Sequence, residues 1–153
     1  MKIDTGILIN APAYMVREKI LDFGNYSSWN PFFTSIKVIE DTQNSKTKVG
    51  PGTRLDVSMK DAQSGNTSSF QPVVLANDVE KLEWQGTLVG SWFFAGTHRF
   101  ECKTSEDGRT CEFRQSEQFS GVALPLLRPF LSGTSKGFER MNEALKKECE
   151  SRP

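Results

Sequence analysis

The dipeptide Asp107-Gly108, which lies between two long alternating segments, constrains the fold of this chain more than any other feature. Asp-Gly favours a tight β-hairpin because Gly adopts positive φ freely and Asp tolerates it, as a two-residue type I′ loop requires. Such a loop pairs Glu101 with Arg114. It also pairs Lys103 with Glu112, so that opposite charges lie side by side, whereas a shift by two residues would oppose like charges. The sequence therefore predicts one hairpin register, with these charged residues on the solvent face.

The same register points three polar side chains toward the inner face of the hairpin. His98, the single histidine of the chain, lies directly opposite Glu117, and Gln115 lies two residues before Glu117. Directly opposed residues have Cβ atoms about 4.5–5.5 Å apart, so the imidazole and the carboxylate are within hydrogen-bonding reach. Burial of polar groups costs free energy unless they are paired. The pattern predicts a cavity with reactive groups in its wall; the alternatives are a pair that satisfies itself in the core, or a Glu117 that reaches solvent.

Alternation elsewhere predicts further strands, and a long apolar stripe predicts one C-terminal helix. Strands are expected at 3–9, 36–40, 53–60, 70–76, 81–88, 96–104 and 110–121, short helices at 10–23 and within 25–33, and the long helix at 123–150. Pro125 and Pro129 predict an irregular start to that helix. The order predicts an α+β fold in which a curved antiparallel sheet of about seven strands surrounds the long helix, with two short N-terminal helices. A ligand cavity is expected between sheet and helix.

Composition limits the class of protein and its partners. A length of 153 residues predicts one domain, 1–153. Lys and Arg total 19, as do Asp and Glu, and this zero net charge argues against a nucleic-acid or anionic-membrane partner. We find no apolar signal region and no run long enough to cross a bilayer. The three cysteines lack C-x-x-C spacing and are expected to be free thiols. These features predict a cytoplasmic protein, either a monomer or a homodimer.

No cofactor is expected from the sequence. One histidine and unclustered cysteines argue against a transition-metal site. The chain contains neither a G-x-G-x-x-G fingerprint nor a P-loop, so no nucleotide cofactor is indicated. Any catalysis would have to rely on the side chains of the protein itself.

Several short segments resemble a known superfamily over nearly the whole chain. They are Asn10-Ala11-Pro12, Trp29-Asn30-Pro31-Phe32, Leu82-Glu83-Trp84-Gln85-Gly86, Gly96-Thr97-His98-Arg99-Phe100 and the final run 137–146. The pattern resembles the polyketide cyclase/dehydrase-type branch of the START-like, or SRPBCC, superfamily, which has the Bet v 1-like helix-grip fold. The resemblance implies a single domain with a deep, mainly apolar cavity. The superfamily includes polyketide cyclases, lipid carriers and hormone receptors, so the resemblance implies no universal catalytic set.

The candidate site residues follow from the inner face of the hairpin and from the aromatic positions around it. His98 is the candidate general base or acid, Glu117 its orienting partner, and Gln115 either a ligand for a substrate carbonyl or a partner of a loop backbone. Core packing is the alternative for Trp29, Asn30, Phe32, Phe138 and Met141, and a simple turn is the alternative for Trp92. The full set of other predicted ligand-binding residues is Trp29, Asn30, Phe32, Trp84, Trp92, Phe100, Phe119, Phe138 and Met141.

Three functions are compatible with these residues. The first is a cofactor-free cyclase or dehydratase, a lyase activity, acting on a small hydrophobic polyketide-like or aromatic molecule. Proton removal from carbon next to a ketone by His98 would begin ring closure of the aldol type. The second is a non-catalytic carrier or sensor of a hydrophobic small molecule or lipid. The third is an interaction module whose cavity is vestigial. A carrier does not need a His98–Glu117 pair, although it can tolerate one.

Overall fold

The computed structural model describes residues 1–39 and 49–151, and it confirms the predicted α+β class with a large antiparallel sheet and a long C-terminal helix. The elements of these residues are β1 (Lys2–Ile9), α1 (Ala13–Leu21), α2 (Tyr26–Trp29), β2 (Phe33–Val38), β3 (Leu55–Lys60), β4 (Thr67–Phe70), β5 (Val73–Asn77), β6 (Lys81–Leu88), β7 (Phe94–Thr104), β8 (Cys111–Ser120), α3 (Leu124–Leu127) and α4 (Thr134–Glu150). The last residue of the strand predicted at 36–40 lies outside the described residues.

The strands form two antiparallel sheets that are joined at one edge. The larger sheet has the order β1-β8-β7-β6-β5, and the smaller has the order β2-β3-β4. A bridge between Arg54 and Val73 connects them. The backbone N–H of Leu55 donates to the carbonyl of Pro72 at 3.0 Å, and that of Val74 donates to the carbonyl of Thr53 at 2.8 Å. Hydrogen bonding is therefore continuous across the junction.

The segment predicted as one strand at 70–76 belongs to two strands. β4 ends at Phe70, and β5 begins at Val73. Pro72 lies between them and has no backbone N–H to donate to a strand ladder. The chain changes sheets at this proline. The described residues therefore contain eight strands where the sequence predicted about seven.

The helices are shorter than predicted. The first covers Ala13–Leu21, inside the predicted 10–23 segment. A 3₁₀ turn at Phe23–Asn25 then leads into α2, which lies inside the predicted 25–33 segment. The predicted helix at 123–150 divides into α3, a 3₁₀ turn at Arg128–Leu131, and α4. Pro125 and Pro129 each occupy an early position of a short helix, where a missing N–H costs nothing. The irregular start that these prolines predicted is confirmed.

The predicted register of the β7–β8 hairpin is confirmed, but its predicted loop is wrong. His98 pairs with Glu117, and Glu101 pairs with Arg114. The loop has four residues, 106–109, because the N–H of Ser105 donates to the carbonyl of Thr110 at 3.0 Å. Gly108 has a φ of 71°, whereas Asp107 does not have the positive φ that a type I′ loop needs. Both loops are centred between residues 107 and 108, so both give the same register.

The core between sheet and helix contains all three cysteines. Cys102, Cys111 and Cys149 are buried, and no disulfide joins them. A hydrogen bond with Cys111, together with burial, raises the pKa of Cys102. The thiolate is the form that reacts with alkylating agents, and it is disfavoured in such a setting.

We therefore expect Cys102 in the native protein to resist alkylation at neutral pH. Mass spectrometry after treatment with iodoacetamide should show slow modification of Cys102 in the folded chain and rapid modification of all three cysteines in denaturant. Rapid labelling of Cys102 without denaturant would contradict the burial of its thiol.

Candidate functional site

A cavity of about 330 Å³ lies between the inner face of the sheet and the α3–α4 region. This volume is within the range of small-molecule sites, which runs from about 300 to 1,000 Å³. Six predicted site residues line it: Phe32, Trp84, His98, Glu117, Phe119 and Phe138. The remaining walls are mostly apolar. The sequence therefore located much of one wall of the cavity.

The hairpin register brings His98 and Glu117 into contact at this wall. The imidazole Nδ1 lies 2.7 Å from Oε2 of Glu117, a hydrogen bond in which Nδ1–H donates to the carboxylate. The side chain of His98 is 2% exposed, and that of Glu117 is 14% exposed. The pair therefore lies at the boundary between the core and the cavity, with the histidine on the core side.

An aromatic cage surrounds the imidazole. The indole of Trp84 stacks on it at a centroid distance of 5.2 Å and an interplanar angle of 24°. The rings of Phe33, Phe100 and Phe138 meet it edge-on at 5.1, 4.4 and 4.9 Å, respectively. The Nε2 atom of His98 is buried and has no hydrogen-bond partner among the described residues. The cage restricts the ring to one orientation, so the direction of the Nδ1 hydrogen bond is set by packing.

Two glycines line the floor of the cavity, and neither was predicted from the sequence as a site residue. Gly86 on β6 and Gly96 on β7 are paired across the strands. A Cβ atom on Gly96 would lie 2.7 Å from Oε1 of Glu117, and one on Gly86 would lie 3.3 Å from the ring of Phe70. Glycine inside a strand often marks a close approach of another group. This signal could have located the cavity floor from the sequence.

Asn30 supports the cavity wall from behind. Its side-chain Oδ1 accepts hydrogen bonds from the backbone N–H groups of Phe32 and Phe33, both at 2.9 Å. Asn30 is itself buried and does not line the cavity. In this structure the amide holds the two phenylalanine residues that form the wall.

The structure places Gln115 between the sheet and the long helix. Its Nε2 donates to Oδ1 of Asn142 on α4 at 2.9 Å, and Asn142 in turn donates to Oγ1 of Thr5 on β1 at 2.9 Å. Gln115 is fully buried and lies outside the cavity lining. It joins the long helix to the sheet, a role that matches neither the carbonyl ligand nor the loop contact expected for it.

Four other predicted ligand-binding residues do not line the cavity. Trp29 packs against Tyr26 at 5.3 Å, and Trp92 is 66% exposed beside Phe93. Phe100 and Met141 are fully buried core residues. The sequence assigned Phe100 to the inner face of the hairpin and Met141 to the apolar face of the helix, but it could not show how far each lies from the cavity.

Several other wall residues were not among the predicted site residues. They are Phe33, Met59, Ser68, Ser69, Phe70, Thr87, Leu88, Phe94, Leu127, Leu131 and Thr134. Most belong to the smaller sheet or to the α3–α4 region. The chain leaves the smaller sheet at Pro72. Within residues 1–39 and 49–151, no three His, Cys, Asp or Glu side chains are close enough to hold a metal ion. No helix in those residues is long and apolar enough to span a membrane.

Solved structures share this fold at low sequence identity. The aromatase/cyclase Zhui from Streptomyces sp. R1128 is 14% identical, with 99% of this chain and 94% of that chain covered and a TM-score of 0.71. A START superfamily protein from Mycobacterium smegmatis is 15% identical, with 97% of each chain covered and a TM-score of 0.69.

The di-domain ARO/CYC BexL from the BE-7585A biosynthetic pathway is 16% identical, with a TM-score of 0.70. All of this chain is covered, but it spans about half (51%) of the BexL chain. At such identities these likenesses establish the fold. Comparison with curated protein sequences gives no match.

The sequence itself establishes the family. Residues 1–150 match the family described as polyketide cyclase/dehydrase and lipid transport, and this match covers nearly the entire chain. The START-like resemblance predicted from the short motifs is thereby confirmed. The chain belongs to the polyketide cyclase/dehydrase and lipid transport family.

Proposed function

We propose that this protein binds a small hydrophobic, polyketide-like or aromatic molecule in its cavity and catalyses a cofactor-free cyclisation or dehydration. One observation carries the proposal: a hydrogen-bonded imidazole–carboxylate pair lies in the wall of an otherwise mainly apolar cavity. The family description and the aromatase/cyclase neighbours support it.

The pair can supply the proton transfers of an aldol-type ring closure. The C–H bond next to a ketone breaks, and the proton moves to the pair. The resulting enolate forms a C–C bond with a second carbonyl carbon of the same molecule, and the new alkoxide takes up a proton. Loss of a second C–H proton and of the hydroxyl then releases one water molecule. Each of these steps needs one positioned acid or base and no redox partner.

A carrier or sensor is the second candidate. Apolar walls alone would retain a lipid or another hydrophobic cargo, and the cavity has such walls. The carboxylate of Glu117 favours catalysis over transport of a ligand. Its burial in an apolar wall costs folding free energy, and a carrier has no need of such a group. We also propose a cytoplasmic location, since no disulfide joins any of the three cysteines.

Filling the cavity should prevent binding. Thr134, the first residue of α4, lines the cavity, so Thr134→Trp places an indole in the space that a ligand would occupy. We expect the affinity for the fluorescent probe N-phenyl-1-naphthylamine to fall about tenfold or more, which corresponds to about 1.4 kcal/mol of binding free energy. Isothermal titration calorimetry avoids interference from the new indole.

Lys136→Trp is the matched control. Lys136 is exposed on the same helix and does not line the cavity. Its replacement adds the same side chain without filling the site, so probe affinity should stay within about twofold of the wild-type value. Equal loss in both variants, or in neither, would mean that the probe binds elsewhere and that the cavity is not the binding site.

A further inference from the structure

We propose that Glu117, and not His98, is the group of the pair that contacts the ligand, and that the cavity therefore selects apolar aromatic molecules carrying an O–H donor. The inference rests on the proposed function, since it assigns roles within the same site. In this assignment His98 is a positioning residue that acts through Glu117.

The free nitrogen of His98 is enclosed by rings. Nδ1 is occupied by its hydrogen bond to Glu117, which leaves Nε2 as the remaining polar atom of the imidazole. Nε2 is buried and unpartnered, with Trp84 stacked on the ring and Phe100 and Phe138 meeting it edge-on. A ligand could reach Nε2 only by displacing one of these packed side chains.

The free oxygen of Glu117 has the opposite setting. The carboxylate uses Oε2 for His98, and Oε1 accepts no hydrogen bond from any of the described residues. Its side chain is 14% exposed, compared with 2% for His98. Gly96 lies beside Oε1, where a Cβ atom would be only 2.7 Å away. The absence of a side chain at Gly96 leaves this oxygen uncovered at the cavity wall.

The chemistry of a carboxylate determines what it can bind. An ionised carboxylate only accepts hydrogen bonds, so its partner in the ligand must be a donor. A phenol, enol or other hydroxyl meets this requirement, whereas an ether or ketone oxygen would be repelled. In an apolar cavity the resulting charge-assisted bond is stronger than a bond between neutral groups. Because His98 holds Oε2, the carboxylate presents Oε1 in one orientation.

A matched pair of ligands tests this specificity. 2-Naphthol and 2-methoxynaphthalene share a ring system, but only the first has a donor. Calorimetric titration should show that wild-type protein binds 2-naphthol about tenfold or more tightly than the methyl ether. In Glu117→Gln this preference should fall to about threefold or less, because the carboxylate that accepts from the hydroxyl is gone. His98→Phe keeps the ring volume and the carboxylate, so it should retain most of the preference.

The possible outcomes separate this inference from the proposed function. Equal binding of both compounds by the wild-type protein would overturn the inference and leave the hydrophobic cavity function in place. Loss of the preference in His98→Phe but not in Glu117→Gln would assign the contact to the imidazole and would also overturn it. Failure of both compounds to bind would contradict the proposed function for aromatic ligands, and the inference would fall with it.

Discussion

Replacing Glu117 by glutamine is expected to lower kcat for a synthetic poly-β-keto thioester by about 10²–10⁴-fold, the usual contribution of a general base. The amide keeps the size of the side chain and an oxygen that can accept the hydrogen bond from Nδ1 of His98. It cannot take a proton from carbon. Because the hydrogen bond to His98 is preserved, the free energy of unfolding should change by about 1 kcal/mol or less. The appearance of aromatic product is followed by ultraviolet absorbance, and stability by thermal melting.

His98→Phe is the companion variant. It should lose more stability and less kcat than Glu117→Gln. The phenyl ring fills the aromatic cage but leaves Oε2 of Glu117 without a donor, at a cost of about 1–3 kcal/mol in stability. The base itself remains, so kcat should fall less, by about tenfold. Full activity in Glu117→Gln would end the catalytic assignment and favour a carrier. A larger loss of kcat in His98→Phe than in Glu117→Gln would return the role of base to the imidazole.

Replacing Gly121 by alanine should destabilise the protein by about 3 kcal/mol or more. Gly121 has a φ of 110°, a conformation that side chains rarely adopt, and a Cβ atom there would overlap the carbonyl oxygen of Phe93. The backbone cannot move away freely. The N–H groups of Val122 and Ala123 donate to the carbonyls of Trp92 and Phe93 at 3.1 and 2.9 Å. Urea unfolding with the m-value held constant measures the loss.

Gly108→Ala is the matched control for backbone conformation. Gly108 also has a positive φ, 71°, but a Cβ atom on it would meet no other group within 4 Å. Its replacement should cost only the strain of a left-handed alanine, about 1 kcal/mol. Similar losses in the two variants would show that conformational strain alone, and not the contact with Phe93, accounts for the effect at Gly121.

The β7–β8 hairpin shows what local sequence can determine. Side chains in a strand alternate with a period of two, so one turn signal and two opposite-charge pairs select a single register. That register places His98 opposite Glu117, and the structure has the same pairing. The details of the loop were not needed, because the predicted two-residue loop and the observed four-residue loop have the same centre.

Ion pairing on the solvent face was less predictable. Arg114 lies opposite Glu101 as expected, but its guanidinium contacts Asp4 at 3.0 Å and Glu112 at 3.2 Å. Asp4 belongs to β1, which pairs with the other edge of β8. A long, exposed arginine can choose among several carboxylates of similar distance, and each such pair contributes little free energy. The predicted register is therefore correct, although the guanidinium of Arg114 contacts Asp4 and Glu112.

The sequence by itself determined the fold class, the hairpin register, the contact of His98 with Glu117 and the family, because each depends on periodicity or on short motifs. Only the tertiary structure decided which faces border the cavity. Gln115 and Phe100 share the inner face of the hairpin with Glu117, yet both are buried in the core, and Phe70 and Leu127 reach the wall from distant segments. Alternation assigns a side chain to one face of a strand. Whether that side chain packs against α4 or borders the cavity depends on its distance from α4. That distance is set by how the two sheets and the helix are arranged in three dimensions.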